Sequence, residues 1–235
     1  MRKQFIYLSL AATLFCGACK KDNYEAPDAG ISGNIVDALT GKNVPQQTLN
    51  GAKIRLFQTD FRNPEPINSA IKADGSYANT FIFSGNYKVV AEGPFFYKDT
   101  LNLNIKGNVQ ADLKVTPYME VTCELVSKTS TSITVRVKAN RTPNNTQKIA
   151  RVAVVAGTTT GVDINNYYNV NGTSNGRVLE NTEAIADAVV EAKTYEFTLA
   201  NLKPGTSYYV RGAARTINNG NFYNYASMLQ ISTNP

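Results

Sequence analysis

The sequence predicts an all-β protein with two β-sandwich domains, and three features support this fold class. Downstream of the N-terminal segment, no long apolar pattern has the 3.6-residue period of an amphipathic helix. Short runs instead alternate apolar and polar residues, as in Leu101 to Ile105, Val109 to Val115 and Ile133 to Val137. Turn residues separate such runs, and we expect Ala73-Asp74-Gly75 and Lys106-Gly107-Asn108 to close hairpins. One apolar and one polar face per strand is typical of antiparallel sandwiches.

Residues 1–18 are typical of a bacterial lipoprotein signal peptide. Arg2 and Lys3 precede an apolar core, Phe5 to Phe15, that is shorter than the roughly 20 residues a membrane-spanning helix requires. The segment from Cys16 to Cys19 resembles a lipobox, although an aliphatic residue usually stands where Cys16 does. We therefore expect acylation of Cys19, whose thiolate is the nucleophile. The alternative is an ordinary secreted protein that is cleaved elsewhere.

Residues 19–28 are predicted to form a hydrophilic tether. Within it, a lysine followed by an acidic residue, Lys21-Asp22, is similar to the signals that export Bacteroidetes lipoproteins to the outer face of the outer membrane. Each buried CH₂ group contributes about 0.8 kcal/mol, so two or more acyl chains anchor a protein stably. The expected location is therefore the outer membrane, through a lipid anchor on Cys19, with the protein facing the cell exterior.

Residues 29–117 are predicted to form the first domain, since Pro117 can end a strand at the boundary. Four segments follow one another in this domain: Gly33 to Pro45, Asn50 to Phe57, Ala73 to Tyr77 and Gly85 to Ala91. Their order resembles the carboxypeptidase-regulatory-like, transthyretin-related β-sandwich. The resemblance implies a spacer or docking module, in which Tyr77 and Tyr87 point inward.

Residues 118–235 are predicted to form the second domain. The segment Leu199 to Arg211 resembles the fibronectin type III signature Leu-x-Pro-Gly-Thr-x-Tyr, which implies a fibronectin III/Ig-like sandwich. In that pattern Tyr208 buries its ring and forms a hydrogen bond between its hydroxyl and the upstream backbone. The core face is expected to continue through Val210, Gly212 and Ala214.

The whole chain resembles a Bacteroidetes outer-membrane lipoprotein family catalogued as a domain of unknown function. The resemblance rests on the order of the lipobox, the regulatory-like sandwich, Gly93 to Phe96, the junction from Val115 to Tyr118 and the fibronectin-like domain. Such proteins are encoded beside SusC- and SusD-type glycan-uptake proteins. The implied role is an accessory glycan-binding or docking component of a polysaccharide-utilisation system, with a polysaccharide or a SusC/SusD-type transporter as partner. A structural or adhesin-like scaffold lipoprotein with protein partners only is the alternative.

The composition argues against catalysis, metal binding and nucleic-acid binding. The chain contains no histidine, which removes Ser-His-Asp and Cys-His catalysis and histidine metal sites. The net charge is +6, but no run of Lys and Arg forms the basic stripe of a nucleic-acid-binding protein. The acid pairs Asp60 with Glu65 and Glu183 with Asp187 lack an obvious pKa-raising setting. We predict no catalytic residue, no metal and no cofactor, and a buried, inert Cys123.

Three loops combine aromatic rings with amides, the side chains that stack on sugar faces and bind sugar hydroxyls. The candidate ligand-binding residues in these loops are Phe95, Phe96, Tyr97, Tyr167, Tyr168, Asn169, Phe222 and Tyr223. Packing of these rings in the domain cores is the alternative. It is least expected at Tyr167 and Tyr168, because adjacent residues of a strand cannot both face one core. Thr100, within Asp99-Thr100-Leu101, is a candidate O-glycosylation site.

Overall fold

The computed structural model describes residues 25–96, 100–170 and 175–235, and it confirms the all-β fold class. The predicted signal peptide, Cys19 and the first residues of the tether lie outside these ranges, as does Tyr97. In the described part of the chain, no helix has the length and the apolar character needed to cross a bilayer.

Within the described residues, the first sandwich comprises nine strands. They are β1 (Ala29–Asp37), β2 (Lys53–Gln58), β3 (Ile67–Ala70), β4 (Ser76–Ile82), β5 (Gly85–Glu92), β6 (Phe95–Phe96), β7 (Leu101–Ile105), β8 (Asn108–Gln110) and β9 (Leu113–Pro117). One sheet has the order β4-β1-β9-β6, with β8 also paired to β1, and the other has the order β3-β2-β5-β7. Both sheets contribute to one apolar core, in which Tyr77 and Tyr87 are buried as expected.

The prediction of a hairpin at Lys106-Gly107-Asn108 is wrong. Strand β7 pairs with β5 in one sheet, whereas β8 pairs with β1 in the other, so the chain crosses between sheets here. Gly107 adopts a φ of 61°, and a glycine with positive φ can occur in a connection between two sheets as well as in a hairpin turn. Ala73-Asp74-Gly75 does turn the chain back locally, because Ile71 and Tyr77 form an antiparallel bridge.

The second sandwich, over residues 118–170 and 175–235, comprises eight strands and one short helix. They are β10 (Met119–Lys128), β11 (Ile133–Arg141), β12 (Ile149–Gly157), β13 (Arg177–Asn181), α1 (Asp187–Ala192), β14 (Tyr195–Leu199), β15 (Ser207–Thr216), β16 (Asn224–Tyr225) and β17 (Leu229–Ser232). A sheet of order β10-β11-β14 packs against a sheet of order β13-β12-β15-β16, in which β17 also pairs with β15. Only Tyr118 separates β9 from β10, and the domain boundary at residue 117 stays a prediction.

The core of the second sandwich follows the predicted alternation. Tyr208, Val210 and Ala214 are fully buried, and the Tyr208 hydroxyl accepts a hydrogen bond from the backbone N–H of Lys203 at 3.0 Å. Cys123 is half-buried against this core, and burial raises the pKa of its thiol to about 11. The thiol is therefore protonated at neutral pH, as expected of an inert cysteine.

An ionic cluster fixes helix α1 to strand β11 and to the start of β12. Asp187 accepts hydrogen bonds from Lys148 Nζ at 2.7 Å and from the backbone N–H of Ile149 at 3.1 Å. Arg141 donates to Asp187 at 3.2 Å and to Glu191 at 2.9 Å. Desolvation alone would raise the pKa of Asp187, but these hydrogen bonds and cations outweigh it and lower the pKa.

The two sandwiches are joined at a buried aspartate. Asp163, with no exposed surface, lies in the loop after β12. One of its carboxylate oxygens accepts hydrogen bonds from the Thr48 hydroxyl at 2.6 Å, the Thr48 N–H at 2.9 Å and the Leu49 N–H at 2.7 Å. The other accepts from the N–H groups of Asn165 and Asn166 at 2.7 and 2.8 Å. One side chain thus holds a loop of each sandwich.

A buried arginine reinforces this junction. The Arg211 guanidinium, on β15, donates to the carbonyls of Gln46 at 2.9 Å, Val162 at 3.2 Å and Ala73 at 3.3 Å. It also lies 4.1 Å from the centre of the Tyr225 ring. Desolvation lowers the pKa of Arg211 to about 10, so the group remains charged at neutral pH. Because the guanidinium is fully buried, it depends on these carbonyls for solvation.

Replacing Asp187 with Asn should destabilise the protein in a pH-dependent way. The folded state lowers the pKa of Asp187, so its stabilisation is present above the ordinary carboxylate pKa of about 4 and is lost as the pH falls through the folded pKa. We expect the free energy of unfolding to fall by about 1.5–3 kcal/mol at pH 7 in urea titrations.

The loss in the free energy of unfolding that Asp187→Asn causes should shrink below about pH 4. Glu196→Gln is the control, because its ion pair with Arg136, at 3.8 Å, is more than half exposed and contributes about 0–1 kcal/mol. If Asp187→Asn lowers the free energy of unfolding by the same amount at pH 7 and at pH 3, the electrostatic explanation is contradicted.

Replacing Asp163 with Asn should weaken the junction. The amide keeps the shape of the side chain but turns an NH₂ group towards donors on one side, which leaves buried N–H groups unpaired. We expect a loss of about 2–3 kcal/mol in the free energy of unfolding. Thr48→Ser is the matched control, because serine retains both the hydroxyl and the N–H that donate to Asp163. This substitution should change the free energy of unfolding by no more than about 0.5 kcal/mol. Equal urea midpoints for the two variants would refute this role of Asp163.

Candidate functional site

A cavity of about 370 Å³ opens where the two sandwiches meet, next to the Asp163 junction. We call it the junction cavity. It is lined by Gln47, Asn50, Arg151, Ile164, Asn165, Arg177, Leu179, Arg215, Gly220, Asn221 and Tyr223. Gln47 and Asn50 come from the first sandwich, and the others come from the second. Both sandwiches therefore contribute to its lining.

Four amides give the cavity hydrogen-bonding groups on several sides. Gln47 is buried, and its Nε2 donates to the carbonyl of Leu49 at 2.7 Å, while its Oε1 has no hydrogen-bond partner among the described residues. Asn50, Asn165 and Asn221 are exposed, and the Asn165 amide also donates to Leu49, at 3.3 Å. Planar amides pair with vicinal hydroxyls because they offer a donor and an acceptor side by side.

Three arginines from three neighbouring strands line the same cavity. Arg151, on β12, donates to the Tyr223 hydroxyl at 3.4 Å. Arg215, on β15, donates to the side-chain oxygen of Asn221, and its guanidinium lies 5.7 Å from the centre of the Tyr223 ring. Arg177, on β13, donates to the carbonyl of Ile164 at 3.1 Å. These contacts hold the guanidinium groups at the cavity wall.

The predicted loop around Tyr167 lines the cavity only through Asn165, because Tyr167, Tyr168 and Asn169 are not part of the lining. The Tyr167 ring is half-buried beneath Arg177, whose guanidinium carbon lies 4.3 Å from the ring centre. Tyr168 packs against the core of the second sandwich, edge-on to Tyr208 at 5.3 Å between ring centres. Asn169 is exposed. The adjacent tyrosines therefore face different environments, as the sequence led us to expect.

The predicted loop around Phe222 contributes directly to the cavity. The amide of Asn218 closes this loop by accepting from the N–H of Phe222 and donating to its carbonyl, both at 2.9 Å. Phe222 is half-buried, whereas Tyr223 is buried in an apolar cluster on the outer face of β12 and β15 and reaches the cavity wall. The tertiary fold thus brings two of the three predicted loops to one cavity.

The third predicted loop lies apart from the cavity. Phe95 is buried in the core of the first sandwich. Phe96 is exposed at 36%, and its ring contacts the Tyr118 ring edge-on at 4.7 Å. Tyr97 lies outside the described residues, and Thr100 is exposed. None of the described residues of this loop lines the junction cavity.

A larger groove of about 630 Å³ also lies between the sandwiches. Its mostly apolar lining includes Pro45, Ala73 and Met228. The one carboxylate in the lining, Asp74, already accepts hydrogen bonds from the N–H and the hydroxyl of Ser76, at 3.0 and 2.7 Å. The exposed surface of the groove is therefore more apolar than that of the junction cavity.

The sequence analysis missed the arginines of the junction cavity. Arg151, Arg177 and Arg215 are far apart along the chain, so no run of basic residues marks them. The one signal in the sequence is on β12, where Arg151 lies on the same strand face as the apolar residues Ala153 and Val155. Only the pairing of β12 with β13 and β15 brings the three groups together.

The carboxylates that were weighed as catalytic pairs are engaged elsewhere. Asp60 accepts hydrogen bonds from the backbone N–H and the amide of Asn86, which lower its pKa. Asp187 belongs to the ionic cluster at helix α1. Among the residues that the structure describes, no three acidic, cysteine or histidine side chains are grouped as a metal site would require.

Solved structures with the same fold cover nearly the whole chain. A DUF3823 family protein from Bacteroides uniformis has a TM-score of 0.75 at 20% identity, over 89% of this chain and 100% of the other. A candidate carbohydrate-binding protein from the same species has a TM-score of 0.70 at 24% identity, over 88% and 99% of the two chains. A DUF3823 family protein from Parabacteroides merdae has a TM-score of 0.68 at 19% identity, over 88% and 100%.

No curated protein matches this chain. Residues 29–116 match a family model described as the N-terminal domain of a protein of unknown function, DUF3823. This range coincides with the first sandwich, from the first residue of β1 to within one residue of the end of β9. The first sandwich is therefore similar to the N-terminal domain of that family.

Proposed function

We propose that this protein is a non-catalytic surface lipoprotein that binds glycans as an accessory component of a polysaccharide-utilisation system of the SusC/SusD type. The observation that carries the proposal is the convergence of two amide-rich and tyrosine-rich loops on the junction cavity. Sugars are recognised by planar polar side chains beside aromatic rings, and here Asn165, Asn221 and Tyr223 meet at one wall. Gln47 and Asn50 face them from the first sandwich.

The rigidity of the cavity supports a binding role. Asp163 and Arg211 hold the two walls with hydrogen bonds that cross between the sandwiches. A preformed cavity loses little conformational entropy when a ligand binds, so more of the contact energy contributes to affinity. A related fold in a candidate carbohydrate-binding protein from Bacteroides uniformis is consistent with the same role.

A non-catalytic role is favoured by the lining of the cavity. Glycoside hydrolysis ordinarily needs two carboxylates about 5–9.5 Å apart. The described residues that line the junction cavity include arginines, amides, a tyrosine and apolar residues, but no carboxylate. Binding without turnover would raise the local concentration of glycan at the cell surface, where an importer of the SusC/SusD type uses it.

Mutating the exposed amides should weaken glycan binding while the fold is retained. Asn165→Ala removes one cavity amide, and Asn221→Gly removes another at a φ of 54°, which glycine adopts without strain. We expect the double variant to bind a glycan selected on an array at least about tenfold more weakly, measured by calorimetry or affinity gel electrophoresis.

The matched control is Asn102→Ala with Asn144→Gly. Asn102 is exposed, Asn144 is exposed with a φ of 67°, and both lie outside the lining of the junction cavity. The affinity of this control variant for the glycan should therefore equal that of the unmodified protein. If no glycan on the array binds and the protein copurifies with a membrane transporter, the scaffold alternative replaces glycan binding.

Acylation should depend on Cys19 alone. In a Bacteroidetes host we expect labelled fatty acid to enter the unmodified protein and Cys123→Ala, but not Cys19→Ala, because the Cys123 thiol is half-buried and protonated. Mass spectrometry should find the acyl groups on Cys19 at the mature N-terminus. An unlipidated protein in the periplasmic fraction would rule out the proposed surface anchor.

A further inference from the structure

The junction cavity carries more positive charge than its structural role requires. Sheet register places Arg151 of β12 directly opposite Arg215 of β15. Like charges directly opposite each other on one face of a sheet repel and destabilise the pair. A pair of small or uncharged residues would satisfy the sheet at these positions without repulsion.

A third guanidinium stands at the other end of the cavity. Arg177 of β13 pairs in register with Val155, four residues beyond Arg151 on β12, so its backbone lies about 13 Å further along the sheet. The cavity therefore has a pair of guanidinium groups at one end and a single one at the other. Leu179, opposite Ala153, lies between the two ends.

Among the described residues, only one of these three charges has a carboxylate partner. Glu183 lies 3.7 Å from Arg215, and its side chain is 46% exposed. Within the described residues, Arg151 and Arg177 have no carboxylate within 4 Å. Asp163 is close in sequence to the cavity wall, but five hydrogen-bond donors from the protein already occupy its two oxygens.

Several buried polar atoms at this wall also have no acceptor or donor in the protein. The Nε atoms of Arg151 and Arg215 and the Oε1 atom of Gln47 are buried without a hydrogen-bond partner among the described residues. Nε and one Nη form the side-on edge of a guanidinium, and this edge binds an oxyanion through two parallel hydrogen bonds. An oxyanion at this end of the cavity would neutralise the arginine pair and supply the missing acceptors.

We infer that the junction cavity selects acidic saccharides, with Arg151 and Arg215 binding the carboxylate or sulfate ester of one sugar unit. Arg177 would bind an acidic group or a hydroxyl of a neighbouring unit, and the cavity amides would bind hydroxyls. This inference rests on the proposed glycan-binding function, which it makes specific. The charge is confined to a cavity with amide walls, which suits a saccharide better than the extended backbone of a nucleic acid.

The test compares ligands that differ only in charge. Oligogalacturonides and their methyl esters share one sugar backbone, but only the acids carry carboxylates. By calorimetry we expect the full chain to bind the acids at least about tenfold more tightly than the esters. Added salt should weaken binding of the acids more than binding of the esters. Sulfated galactan oligosaccharides, which lack carboxylates, identify whether a sulfate ester is the preferred group.

Arginine variants locate the site. We expect Arg151→Gln and Arg177→Gln each to weaken binding of the acids about tenfold and binding of the esters much less. Arg151→Lys should be intermediate, because lysine keeps the charge but cannot form two parallel hydrogen bonds to one oxyanion. Arg136→Gln is the matched control, since Arg136 is about half exposed on β11, outside the cavity lining, and its affinity should not change. Thermal unfolding of each variant checks that it is folded.

The outcomes separate this inference from the proposed function. Equal affinity of the unmodified chain for acids and esters overturns the acidic specificity, whether or not any variant folds, but leaves glycan binding intact. Acid binding that survives both glutamine substitutions overturns the assignment to this cavity. If no saccharide binds, both proposals fail. Binding of a single-stranded oligonucleotide with the same arginine dependence, but of no saccharide, would reassign the cavity to phosphate.

Discussion

The structure depends on two buried charges at the junction of its sandwiches. Asp163 and Arg211 are both fully buried, and neither is solvated by water. Burying a charge is costly unless hydrogen bonds replace its hydration, so the geometry of the partners is tightly constrained. Those partners come from both sandwiches: Thr48, Leu49, Gln46 and Ala73 belong to the first. Separating the sandwiches would leave both charges without these donors and acceptors.

The candidate site inherits its geometry from this junction. Gln47 follows Gln46, whose carbonyl accepts from Arg211, and Asn165 lies two residues after Asp163. The backbone N–H of Asn165 itself donates to the Asp163 carboxylate. Side chains on opposite walls of the cavity are therefore positioned by residues one or two places away. This explains how loops without regular secondary structure can form a defined binding cavity.

The arginines of this protein serve two different purposes. Arg211 donates to three carbonyls through its two Nη groups and stacks on Tyr225, although its buried Nε also lacks a partner among the described residues. Arg151 and Arg215 face each other across two strands, and their buried Nε atoms lack partners among the described residues. The first arrangement is typical of a structural arginine. The second is typical of a site that an external oxyanion completes, because the protein tolerates repulsion there without a structural benefit.

The sequence by itself determined the fold class and the inward-facing residues of the strands. Period-two alternation predicted the buried face of β11, and the fibronectin-like motif predicted the buried ring and the hydroxyl contact of Tyr208 on β15, because these patterns depend on local geometry. It also indicated two of the loops that line the cavity. The tertiary structure alone decided strand pairing, as the crossing at Gly107 shows, since a turn residue does not specify which sheet receives the next strand. The arginine cluster was likewise decided by sheet register, which brings together residues up to 64 positions apart and leaves no trace in the linear charge pattern.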